Sequence, residues 1–138
     1  MDTIAQPAAS KAARWTGYAM SGLVILFLLF DGGIKLVPLE IVTQTSGEIG
    51  LPTDPSFARL LGILTLIGVA LYAIPQTAVL GAILLTGYMG GAICTHWRVG
   101  DPFVMHIGFG ILIWLGVFLR DRRLRAVIPL RTSPEQNG

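Results

Sequence analysis

Apolar residues run in long blocks along this chain, and the polar ones are confined mostly to the joints between blocks. The first block, with "GLVILFLLF" inside it, predicts a membrane helix over residues 15–37. A hydrocarbon core about 30 Å thick needs ~20 helical residues at ~1.5 Å each, which this block supplies. A second block, "FARLLGILTLIGVALYAI", predicts a helix over 56–74, stopped by Pro75, which lacks the N–H to continue. Only "PQ" separates it from a third helix over 77–95, so the two should form an antiparallel hairpin. A fourth helix is expected over 103–119, after the connection "HWRVGDP". The expected fold is therefore all-α: a four-transmembrane-helix bundle in a single domain. The stretch "PLEIVTQTSGEIGLPTDP", loop 38–55, reads as irregular structure or a small extramembrane cap, from its Gly, Pro, Ser and Thr. Residues 120–138 make a basic tail.

Composition sharpens this picture. Charged residues are 13% of the chain, about half the share of a soluble domain, and the mean hydropathy is +0.68. Lys11 and Arg14 precede the first block, as in a secretory signal, but the block is long and no small-residue cleavage pattern follows Phe30. It is expected to be a retained helix. Charge also orients the chain. Arg120, Arg122, Arg123, Arg125 and Arg131 crowd the tail, whereas loop 38–55 carries Glu40, Glu48 and Asp54. Lys and Arg stay cytoplasmic, so both termini are expected in the cytoplasm and the loop outside, in a multi-pass protein of the cell membrane. The tail then anchors topology on the anionic lipid bilayer, and no nucleic-acid partner is expected. Cys94 is the single cysteine, which excludes an internal disulfide or a CxxC motif.

Small residues let helices approach closely in lipid. Gly81, Gly87, Gly90 and Gly91 of the third helix, and Gly108, Gly110 and Gly116 of the fourth, should pack within the bundle, with a homo-oligomer interface as the alternative. The ionisable residues gather at one level. Asp31 lies ~24 Å along the first helix from Trp15, and Lys35 follows one turn later on the same face. A charge near the bilayer centre costs about 2.5–3.5 kcal/mol, so such groups turn inward and pair. Asp31 and Lys35 are either a structural ion pair, with Lys35 free to snorkel outward, or part of a cavity wall. Both readings stand. Arg59 at the outer mouth of the second helix, Tyr88 past the midpoint of the third, and His96 and His106 across the last connection complete the candidate ligand-binding set. The cytoplasmic half is nearly featureless by comparison. Arg98 and Asp101 should form a structural polar cap on the last turn, with Pro102 opening the fourth helix. Without HxxxH or HxxEH spacing, His96 and His106 predict no metal site, and haem is disfavoured.

The run "YAIPQTAVLGAILLTGYMGGAICTHWRVGDPF", followed by "WLGVFLRDRRLRAVIPLR", resembles the DoxX-like membrane proteins. "GGIKL" and "LLGILTLIGVALYAIP" fit the same pattern, and the likeness extends from about Thr16 to Arg131. It implies a four-helix membrane bundle. The DoxX proteins that give the family its name are membrane subunits associated with quinone-linked oxidation of thiosulfate, and most of their relatives have no established activity. Lys35, Pro75, Gly90, Gly91, His96, Arg98 and Asp101 stand at motif positions. Thr65 stands where many relatives have an acid, and Gln76 where many have arginine, so the resemblance transfers no catalytic proton carrier. Three activities remain open: an accessory protein binding a small apolar ligand such as a quinone or lipid, a membrane subunit of a quinone-linked oxidoreductase with a partner subunit, or a transporter of protons or small solutes.

Overall fold

Ser10 starts the first helix: its Oγ accepts from the backbone N–H of Ala13 at 3.1 Å, satisfying a donor that has no partner within the helix. In this computed structural model, which describes residues 10–37 and 39–128, six helices form. They are α1 (Lys11–Leu36), α2 (Glu40–Glu48), α3 (Pro55–Ala73), α4 (Ala78–Arg98), α5 (Val104–Arg120) and α6 (Arg122–Val127). Asp54 opens α3 by accepting from the Ser56 N–H at 2.8 Å, with Pro55 in the first turn, where its missing N–H costs nothing. That backbone bond, more than the nearby Arg59, holds the Asp54 carboxyl below the usual carboxylate range.

Pro75 ends α3 as expected, and the structure shows what replaces the lost bonds. Leu71 O, the acceptor that Pro75 cannot serve, accepts a hydrogen bond from Thr77 Oγ1 at 2.7 Å. Tyr72 O accepts from the guanidinium of Arg120, which lies over the Tyr72 ring, 4.6 Å from its centroid. Tyr72 in turn donates its hydroxyl proton to Ile113 O at 2.8 Å, leaving its oxygen to accept from Ser21 Oγ at 3.1 Å. Three helices are thereby tied at one buried tyrosine.

By length and composition, α1, α3 and α4 are long and apolar enough to cross a membrane, and α5 is a shorter apolar helix of 17 residues. α1 packs on α3 and α5, and α4 packs on the same two, so the four close into a ring. Val24, Leu28, Val69, Leu85, Ile113 and Val117 fill its centre. The outside is apolar as well, with Leu26, Phe30, Leu60, Leu64, Ile83 and Ile111 exposed. Lipid suits such a surface, and water does not.

Several expectations are corrected. The stretch read as irregular contains α2. Its Ile41, Val42, Thr45 and Ser46, with the cap residue Ile49, recur at helical spacing and line a cavity, although Ile41 and Thr45 stay largely exposed, so packing overrides the weak propensity of β-branched and hydroxyl residues. α4 continues past Thr95 to Arg98, and Pro102 lies before the cap residue Phe103 rather than within the first turn of α5. The half expected to be featureless holds the Tyr72 network. Among the glycines, Gly81 and Gly116 are packed as expected: a Cβ on Gly81 would strike the backbone of Leu71 and Tyr72. Gly87, Gly90, Gly91, Gly108 and Gly110 are not, since a Cβ on any of them would meet nothing within 4 Å. Arg131 of the basic tail lies outside the described residues, as does Pro38 of the first loop.

Candidate functional site

At the end of the ring away from Ser10, the helices part around a cavity of ≈ 620 Å³, a usual size for a small-molecule site. α1, α2, α3, α4 and α5 all contribute walls, and most of the lining is apolar. Leu28 and Met89 lie toward the core, Phe57 and Leu61 come from α3, and Phe109 stacks on Phe27 with ring centroids 4.2 Å apart. α2 covers the end. Its C-terminal side is fastened to α4 by Arg98, whose guanidinium donates to Ile49 O at 3.2 Å and Gly50 O at 3.1 Å. Gly50 takes φ +72°, a left-handed turn that glycine adopts without strain.

Asp31, Lys35, Tyr88, His96 and His106 all line this cavity. Lys35 Nζ donates to Asp31 Oδ2 at 2.5 Å and to Tyr88 Oη at 2.7 Å. The lysine is half-buried and does not snorkel outward. It folds back one turn along α1, as helical side chains lean toward the N-terminus, and reaches α4 on the opposite side of the ring. Arg59 is placed elsewhere. It is exposed, because the cavity face of α3 carries Phe57, Ala58 and Leu61, and a residue next to Ala58 points about 100° away.

The two histidines, ten positions apart in sequence, come together with ring centroids 4.6 Å apart. His96 Nδ1 sits 3.2 Å from Asp101 Oδ2, whereas His106 Nδ1 is buried without a hydrogen-bond partner among the described residues. Asp101 and Arg98 therefore do not cap one turn together; one orients His96 and the other holds α2. No group of three His, Cys, Asp or Glu side chains converges among the described residues. Thr65 is fully buried and donates to Leu61 O of its own helix at 2.9 Å. Trp114 donates to Thr86 Oγ1 at 2.8 Å and belongs to a wholly apolar hollow on the outside of α5 and α6.

The sequence model of the DoxX-like family matches residues 19–119. The chain belongs to the DoxX-like family. The match runs from within α1 to the last turn of α5 and contains every residue lining the cavity of this DoxX-like protein. Apolar helices and family together make it a multi-pass membrane protein whose surroundings are a lipid bilayer. No curated protein and no solved structure matches the chain.

Sequence reasoning missed the contribution of α2. The signal was present as apolar or hydroxyl residues at 41, 42, 45, 46 and 49, masked by residues that favour turns.

Proposed function

We propose that the chain is a four-span bundle with both termini cytoplasmic, and that its cavity binds a small apolar ligand such as a quinone or a lipid. One observation carries the reading: Lys35 bridges Asp31 and Tyr88 against otherwise apolar walls. A lysine ammonium has three protons, and two are engaged among the described residues; Tyr88 accepts from Lys35 and keeps its own hydroxyl proton to give. Asp31 cancels the charge of Lys35. The site therefore offers hydrogen-bond donors at low net charge, which suits a neutral molecule with a carbonyl at one end. A quinone fits that donor set, its carbonyl facing Lys35 and Tyr88 and its ring among apolar and aromatic side chains. Any electrons for it would come from a partner oxidoreductase subunit, because Cys94 is the chain's only thiol. The packed core on the other side of Leu28 and Met89 favours binding over transport.

Thermal melting of the detergent-purified protein tests this, with a short-chain benzoquinone added in one series and phospholipid in another. Saturable stabilisation by one of them is expected, lost in Lys35→Met. If neither shifts the melting temperature and mass spectrometry finds no co-purified ligand, the reading is wrong.

A further inference from the structure

Resting on that reading of the cavity, we infer that its ligand arrives sideways from the bilayer, between α3 and α4 beside Gly87 and Gly91, and is a molecule with one long apolar chain and a carbonyl-bearing head. Between α1 and α3, Gly32 and Gly62 bring the backbones into contact: a Cβ on Gly62 would sit 2.7 Å from Gly32 O. Between α1 and α5, the stacked rings of Phe27 and Phe109 form the wall. Between α4 and α5, His96 lies against His106, and Trp114 bonds Thr86 further along. α2 covers the end, fastened by Arg98.

The side between α3 and α4 differs. These helices touch at their hairpin, where Gly81 meets the Tyr72 backbone and Gly68 meets Leu85. Toward the cavity, α4 presents Gly87 and Gly91, which line the cavity and are also exposed on the outside of the ring. Phe27, Ile41, Thr45 and Met105 also line the cavity and reach the surface, but each places a side chain there, whereas Gly87 and Gly91 place none. A Cβ at either position would meet nothing, so here the wall lacks side chains. The exposed residues one turn nearer the hairpin, Leu64 and Leu84, are apolar, so the mouth opens onto hydrocarbon rather than water. The glycines alone would say nothing about a ligand. The spare donors of Lys35 and Tyr88 inside the same cavity supply the head-group chemistry, and the mouth supplies a place for the chain.

The open space at these glycines makes the test clean, because larger side chains there leave the packing intact. The protein in lipid nanodiscs is labelled with a long-chain methyl ketone bearing a diazirine near the end of its chain, and adducts are mapped by mass spectrometry. Wild type should give saturable labelling on α3 and α4 around Leu64 and Leu84. Gly87→Leu and Gly91→Leu should reduce it about tenfold with melting temperatures unchanged, and Gly90→Leu, equally open but off the cavity, should leave it as it was. Labelling that is saturable but unaffected by Gly87→Leu and Gly91→Leu, or concentrated on α2, overturns the lateral route and leaves the cavity reading in place. Wild-type labelling that excess unlabelled ketone does not compete removes the cavity reading itself.

Discussion

The two ends of the helix ring are built from the same residue types to opposite purposes. At the hairpin end, glycine brings backbones together: Gly81 against Tyr72, Gly116 against Ser21 and the Tyr72 hydroxyl, and Gly17 against Leu119 and Arg120. Tyr72 there is fully engaged, donating to Ile113 O, accepting from Ser21 and backed by the Arg120 guanidinium, although the Nε atoms of Arg120 and Arg125 are buried without a partner among the described residues. At the cavity end, Gly87 and Gly91 face open space, and Lys35, Tyr88 and His106 each retain hydrogen-bonding capacity that no described residue uses. One end spends its polar groups on stability. The other holds them available. Substitutions should therefore separate the two: changes at the hairpin end lower the melting temperature, and changes at the cavity end lower binding.

The largest contrast is between two glycines of α4. Gly81→Leu forces a side chain into the Leu71–Tyr72 backbone, which cannot move as a flexible side chain can, and should cost about 3 kcal/mol or more. The same change at Gly91 should leave thermal melting unaltered. Equal losses at the two positions would falsify the division. Tyr72→Phe comes next. It removes the bonds to Ile113 O and Ser21 in a buried place and should cost about 2 kcal/mol, with ligand binding intact at temperatures where the fold persists.

Lys35→Met reverses the balance. The Asp31–Lys35 pair is only half-buried, so its loss should cost about 1 kcal/mol of stability, while binding of a carbonyl ligand should weaken at least tenfold. A fall in stability without any effect on binding would make the pair purely structural.

The smallest effect should come from Asp54. Its carboxyl is held below the usual range in the folded protein, so its cap stabilises α3 fully above the ordinary carboxylate value. The contribution should fade as pH drops from that value through the lowered one, and a melting curve of Asp54→Ala should lack this dependence.

How much of this could be read in advance differs between the same two regions. The four long apolar helices, the Pro75 break and the gathering of Asp31, Lys35, Tyr88, His96 and His106 follow from apolar block length and from helical rise and spacing, which are local properties, whereas the short α2 and α6 do not. The Tyr72 network was hidden because a tyrosine inside an apolar run, a serine fifty-one positions earlier and an arginine in a basic tail carry no sign that they meet. The misplacement of Arg59 has a different origin: depth along a helix was inferred, but the face was not. The glycine misreading is instructive too, because a small residue in lipid permits either close contact or an opening, and only the neighbouring helix decides which.

α4 holds the base of the cavity through Tyr88 and Met89, its side opening through Gly87 and Gly91, and its cover through Arg98. All of these ride on one rod, bonded to α5 through Thr86 and Trp114, whose closest backbone contact is at Gly81. From that contact to Gly91 is ~15 Å of helix, so a tilt of about 5° would shift the opening by ~1.3 Å and drag the cover with it. The helix would act as a lever, with the hairpin as fulcrum. Spin labels at Leu60 and Gly90 would register such a swing as a changed separation when ligand is added, and a constant separation would show a rigid frame.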